Sequence, residues 1–294
     1  MKKFICTLCM MSLLLSSASA LSPADASAEP APNVVDQKLA LMEYAEEYMA
    51  AHPQTCSQVL TPEEEMDLII ECEKQNLSYE EKKEILNPVG IFQLNPDEDH
   101  PDLAVPLNNP GTSDVVINKP YIYLATTSYS WYVTMSGYWT DPDPWYTFHL
   151  RVIGDVGGAD SFGVGYTNVS GSCPARVSAR GWMDDGSAHE KSTVNVSYSS
   201  ENAGVGFSLQ DNRTKDGSKY YSVGKRFGCS VQYPATFGSF HGTATSYYVH
   251  TWDTAVITGI GFNVSGGGLG GGFNISIANP EYSLTAYSGT QTTF

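Results

Sequence analysis

Between Thr254 and Pro280 the chain is uncharged, and nearly every second residue is apolar while its neighbours are Gly, Asn, Ser or Thr. Val256, Ile260, Phe262 and Val264 share one face, as do Phe273, Ile275 and Ile277 after a Gly-rich bend. Period-two alternation of this kind predicts a β-hairpin with one apolar side. Two environments accept it, the half-buried face of a sheet and the interior of a bilayer.

The same alternation runs through most of the chain. From about Ser113 onward, short runs such as Trp131–Met135, Thr147–Val152, Thr193–Tyr198 and Tyr247–Trp252 are separated by Gly, Asp, Asn and Pro. Strands of that length and spacing predict an all-β domain over 113–294, a two-layer antiparallel β-sandwich or a barrel. Thr193 to Leu209 repeats the hairpin pattern, with Val194, Val196 and Tyr198 answered by Val205, Phe207 and Leu209.

The N-terminal third differs. Lys2 and Lys3 precede an apolar run from Phe4 to Leu15 and then small residues, which predicts a signal peptide over 1–28 and a secreted, extracellular protein of bacterial type. Residues 29–110 hold 18 acidic and 4 basic side chains, whereas 111–294 hold 13 and 10. Without clustered Lys and Arg, nucleic-acid binding is disfavoured. Helical periodicity predicts helices at 34–50, 62–75 and 79–86. Thr61-Pro62-Glu63-Glu64 and Ser78-Tyr79-Glu80-Glu81 have the spacing of capping boxes. The acidic helical segment (29–94) reads as a pro-region candidate, and 95–112, rich in Pro and acids, as a linker.

Four cysteines lie beyond the signal segment. In an oxidising compartment the simplest pairing joins Cys56 to Cys72 and Cys173 to Cys229. No Cys-x-x-Cys spacing or paired His points to a metal, and no cofactor is expected.

Motifs of catalysis are missing: there is no Gly-x-Ser-x-Gly elbow, no His-Glu-x-x-His and no phosphate-cradling loop. His250 is the histidine considered for a metal or general-base role, against the simpler reading of a packed strand residue. Asp141/Asp143, Asp184/Asp185, and Asp211 with Asp216 read as turn chemistry, with loop-bound calcium as the alternative. The five tryptophans all fall in the β domain. Tyr138, Trp139, Trp145 and Tyr146 surround a double Asp-Pro turn, a pattern suited to a binding platform. The leading expectation is therefore a non-enzymatic protein that binds a cell surface, carbohydrate or protein through aromatic loops. The runner-up is a membrane-active, pore-forming or bacteriocin-like toxin made as a proprotein. A secreted hydrolase with dispersed carboxylates comes third.

Overall fold

A computed structural model describes residues 34–53, 59–94, 105–108, 115–140, 153–200, 202–252, 255–262, 273–280, 283–288 and 291–294. All fall in one compact unit, Pro32–Phe294. The expected signal segment, Cys56, Trp145, Tyr146, Val264 and most of the expected linker lie outside the described residues.

Three helices come first: α1 (Val34–Ala51), α2 (Pro62–Lys74) and α3 (Tyr79–Leu86). Both capping boxes form. Thr61 and Ser78 accept the backbone N–H of Glu64 and Glu81, and those carboxylates accept the N–H of Thr61 at 2.8 Å and of Ser78 at 2.9 Å. Each box satisfies donors that a helix start otherwise leaves open, worth about 1 kcal/mol.

The strands follow in chain order. The first seven are β1 (Ile91–Leu94), β2 (Val105–Asn108), β3 (Val115–Ile117), β4 (Tyr121–Ala125), β5 (Ser130–Trp139), β6 (Gly154–Asp155) and β7 (Asp160–Ser170). Next come β8 (Ser178–Asp184), β9 (Glu190–Thr193), β10 (Tyr198–Ser200), β11 (Gly204–Leu209), β12 (Asn212–Asp216) and β13 (Lys219–Val223). The last six are β14 (Arg226–Tyr233), β15 (His241–Thr251), β16 (Val256–Phe262), β17 (Phe273–Ala278), β18 (Ser283–Tyr287) and β19 (Thr292–Thr293).

Two seven-stranded antiparallel sheets make the sandwich. Sheet one runs β1-β4-β5-β14-β8-β9 with β3 beside β5, and sheet two runs β10-β11-β7-β15-β18-β2 with β19 beside β15. Neither closes into a barrel among the described residues. Strand β2 arises within the stretch expected to be linker and pairs with β18. β1, at the end of the expected helical segment, pairs with β4. A three-stranded sheet (β13-β12-β6) and a two-stranded one (β16-β17) complete the set.

Alternation along each strand sorts the side chains into layers. Val133, Met135, Phe227 and Val231 of sheet one meet Phe162, Val164, Phe207 and Tyr248 of sheet two, with the rings of Phe227 and Tyr248 stacked at 3.7 Å. The opposite face of sheet one carries Tyr121, Tyr123, Tyr132 and Trp182, which α2 covers with Met66, Ile69, Ile70 and Cys72. That contact is also polar. Buried Glu65 accepts hydroxyl hydrogen bonds from Thr127, Ser128 and Tyr132, while buried Glu73 accepts from Tyr123 and Ser136 and pairs with Lys82. Helix α1 contributes Leu41 and Ala45 to the sandwich core itself.

Candidate functional site: a docked hairpin and its buried root

The hairpin read from the sequence forms, and it stands apart from both large sheets. Among the described residues β16 and β17 form ladder hydrogen bonds only with each other, in register Ile257↔Ile277, Ile260↔Ile275 and Phe262↔Phe273. These six side chains turn towards Tyr247, Val249 and Tyr287 on the outer face of sheet two. The ring of Phe273 lies 4.5 Å from that of Tyr247 and 5.4 Å from that of Tyr287. Asn274, Ser276, Thr258 and Gly261 occupy the other side of the ladder.

The seat of the hairpin is built from glycine. Strands β7 and β11 alternate apolar residues with Gly, and their register sets Gly165 opposite Gly204 and Gly163 opposite Gly206. The apolar members face the core, so the outer face is a strip of bare backbone. A Cβ on Gly165 would stand 2.5 Å from the Phe273 ring, and one on Gly204 would strike Phe262. Glycine is required at both positions by close approach.

Six apolar side chains about half buried contribute roughly 1 kcal/mol each. No ladder hydrogen bonds need break for the hairpin to leave sheet two. Among the described residues, its attachment to sheet two runs through side chains.

Val256 departs from its expected place, being 51% exposed. A bulge between Ile257 and Gly259 shifts the register, so Ile257 occupies the apolar face that alternation from Phe262 would give to Val256. The second alternating segment is not stored in this way. Val205 and Phe207 belong to the sandwich core and Val194 is 70% exposed.

The expected Cys173–Cys229 bridge is absent, and Cys72, Cys173 and Cys229 are free thiols. Cys229 sits mid-strand in β14 between Met135 and Gly181. Cys173 lies in the loop after β7, where its N–H is held by Asn202 and its thiol by Tyr233. Tyr233 lies four positions along β14 from Cys229, about 13 Å between their backbone positions. Burial pushes the thiols of Cys173 and Cys72 up to about 11.

Below the hairpin, at the end of β15 that feeds it, lies a buried polar cluster. Asp160 opens β7, Asp211 follows β11 and His250 precedes the last residue of β15. Antiparallel pairing of β11 and β15 with β7 brings all three to one end of sheet two. All are buried, with their ligating atoms within 4.8 Å of one another. Asp160 Oδ1 accepts the Thr251 N–H at 2.9 Å, and Oδ2 accepts the Tyr248 hydroxyl at 2.8 Å and lies 2.8 Å from His250 Nδ1. Asp211 Oδ1 accepts from Gln210 at 3.3 Å. Its Oδ2, 4.0 Å from His250 Nδ1, has no hydrogen-bond partner among the described residues. Burial and the adjacent Asp160 hold the Asp211 carboxyl well above the usual carboxylate range. From the sequence His250 was legible as one candidate among several. Asp160 was not singled out, and Asp211 read as a turn residue, because 90 positions separate Asp160 from His250.

The aromatic turn is only partly described. Trp139 is 3% exposed and packs edge-on to Tyr248 and His250, its indole N–H donating to the Tyr248 hydroxyl at 3.4 Å. Tyr138 is half-buried and lines a cleft of about 430 Å³ with Lys74, Lys225 and Arg226. Trp131 and Trp182 are core residues, and Trp252 is half-buried. Comparison with known protein families, characterised sequences and solved structures finds no match to this chain.

Proposed function

We propose that this is a secreted, membrane-active protein that stores a membrane-entering hairpin on its own sheet. One observation carries the proposal: among the described residues β16–β17 is a self-contained ladder that meets the body through alternate apolar side chains resting on a glycine floor. Released, the hairpin offers an apolar face to lipid and Asn, Ser, Thr and Gly to a lumen, the alternation of a transmembrane β-strand. Lipid solvates no backbone, so its two open edges must pair with hairpins from other copies until a ring closes. Among the described residues no helix is long and apolar enough to cross a membrane.

A reversible lock tests this. Gly165→Cys with Phe273→Cys places two thiols where ring and floor now touch, and oxidation ties the hairpin down. Leakage of dye from anionic liposomes is expected from the wild type and the reduced double variant, and loss of at least tenfold in rate on oxidation. Equal leakage from the oxidised and reduced forms, with the bridge verified by mass, removes the hairpin from the activity.

A further inference from the structure

We propose that Asp160, Asp211 and His250 form a binding site for one divalent transition metal ion of the zinc class at the root of the hairpin. Two carboxyl groups and an imidazole are packed together in the core. Among the described residues neither Asp160 nor Asp211 has a Lys or Arg as an ion-pair partner. The nearby Lys191 is engaged elsewhere, donating to the Gln210 carbonyl at 2.8 Å. Buried carboxylates are stabilised by a cation or by a full set of hydrogen bonds. Asp160 has such a set and Asp211 does not. The Oδ2 of Asp211, without a hydrogen bond among the described residues, faces the imidazole at 4.0 Å and lies within 4.8 Å of the ligating atom of Asp160.

The donor set selects the ion. Calcium takes six to eight oxygens, whereas two carboxylate oxygens and one imidazole nitrogen are the mixed N/O set of zinc and its neighbours. In a tetrahedral zinc site with bonds near 2.0–2.1 Å, donor atoms stand about 3.3 Å apart. Here His250 Nδ1 is 2.8 Å from Asp160 Oδ2 and 4.0 Å from Asp211 Oδ2, distances that bracket this value. Binding replaces the contact between Nδ1 and Asp160 with two metal bonds and leaves the Tyr248 hydroxyl on Asp160, the outer-sphere bond that orients a ligating carboxylate. A bound ion would join the start of β7, the loop after β11 and the end of β15, which leads by Trp252 and Ala255 into β16.

The full chain, stripped with chelator, is to be titrated with Zn²⁺ both natively and during refolding, since the site is closed to solvent. One Zn²⁺ per chain and a higher melting temperature are expected. Asp211→Asn keeps the shape, replaces the Oδ2 donor with an amide nitrogen that cannot bind a metal and retains a carbonyl for Gln210. It should match or exceed the metal-free wild type in melting temperature while binding Zn²⁺ about 100-fold more weakly. Co²⁺ in place of Zn²⁺ should show intense visible bands of low coordination number without a thiolate charge-transfer band. Three results would each overturn the proposal: no stoichiometric Zn²⁺ in either preparation, Asp211→Asn affinity within threefold of wild type, or a thiolate–cobalt band assigning the ion to cysteine.

Discussion

Lys38 shows how much one residue can commit a helix to the sheets beneath it. Its ammonium is buried, donates to the carbonyls of Phe237 and Phe240 at 2.9 and 2.7 Å, and lies over the rings of Phe237, Phe294 and Trp131. Burial lowers it from 10.5 to about 7, while the carbonyls and ring faces hold the charge it retains. The folded value lies below the unfolded one, so between about pH 7 and 10.5 the unfolded chain binds a proton that the folded chain has lost. Stability from this group therefore rises with pH across that window and is lowest below pH 7. Thermal melts from pH 6 to 9 should show wild type gaining on Lys38→Met as pH increases. Parallel curves would mean that the amine stays charged in the fold.

At the scale of elements, the hairpin's attachment predicts a specific weak point. Around Gly165 the three nearest atoms to an added methyl all belong to the Phe273 ring, whereas at Gly204 the carbonyl of Val164 also intervenes. Gly165→Ala should thus lift the hairpin and leave the sandwich intact, at a cost of about 1–3 kcal/mol. Hydrogen exchange should quicken in 256–278 while Val133, Phe162 and Val231 remain protected. Uniform loss of protection would show that hairpin and body unfold together. The hairpin and the helices were legible in the sequence because their signals are local. Alternation marked β16 and β17, and hydroxyl-to-Glu spacing placed the starts of α2 and α3. The bulge at Thr258 was not legible, since one extra residue reverses a face without changing composition. The Asp160, Asp211 and His250 cluster was hidden because only the sheet register brings it together. An even cysteine count suggested a bridge, but Cys173, in the loop after β7, and Cys229, within β14, are both free thiols.

Over the whole molecule, the sequence read as an acidic helical piece joined by a linker to an all-β piece. The helices are packed on sheet one through Met66, Ile69 and Trp182, and through the buried carboxylates of Glu65 and Glu73. β1 and β2 tie the same stretch into both sheets. Cleavage within 95–104 should therefore yield two fragments that co-elute in size-exclusion chromatography and separate only in denaturant. Spontaneous separation in native buffer would show that the helices are held less firmly than their buried contacts require. Charge patterning along the chain did not reveal this because the acids that matter, Glu65 and Glu73, carry the same letter as the solvated ones beside them.

The floor of facing glycines has one more consequence. It recognises the hairpin through flat backbone and a few aromatic rings, with no feature peculiar to the arm of the same chain. An identical arm from a second molecule fits the same floor, so two molecules that open together can close by exchanging arms. Storage and self-association then become alternative uses of a single surface, with protein concentration choosing between them.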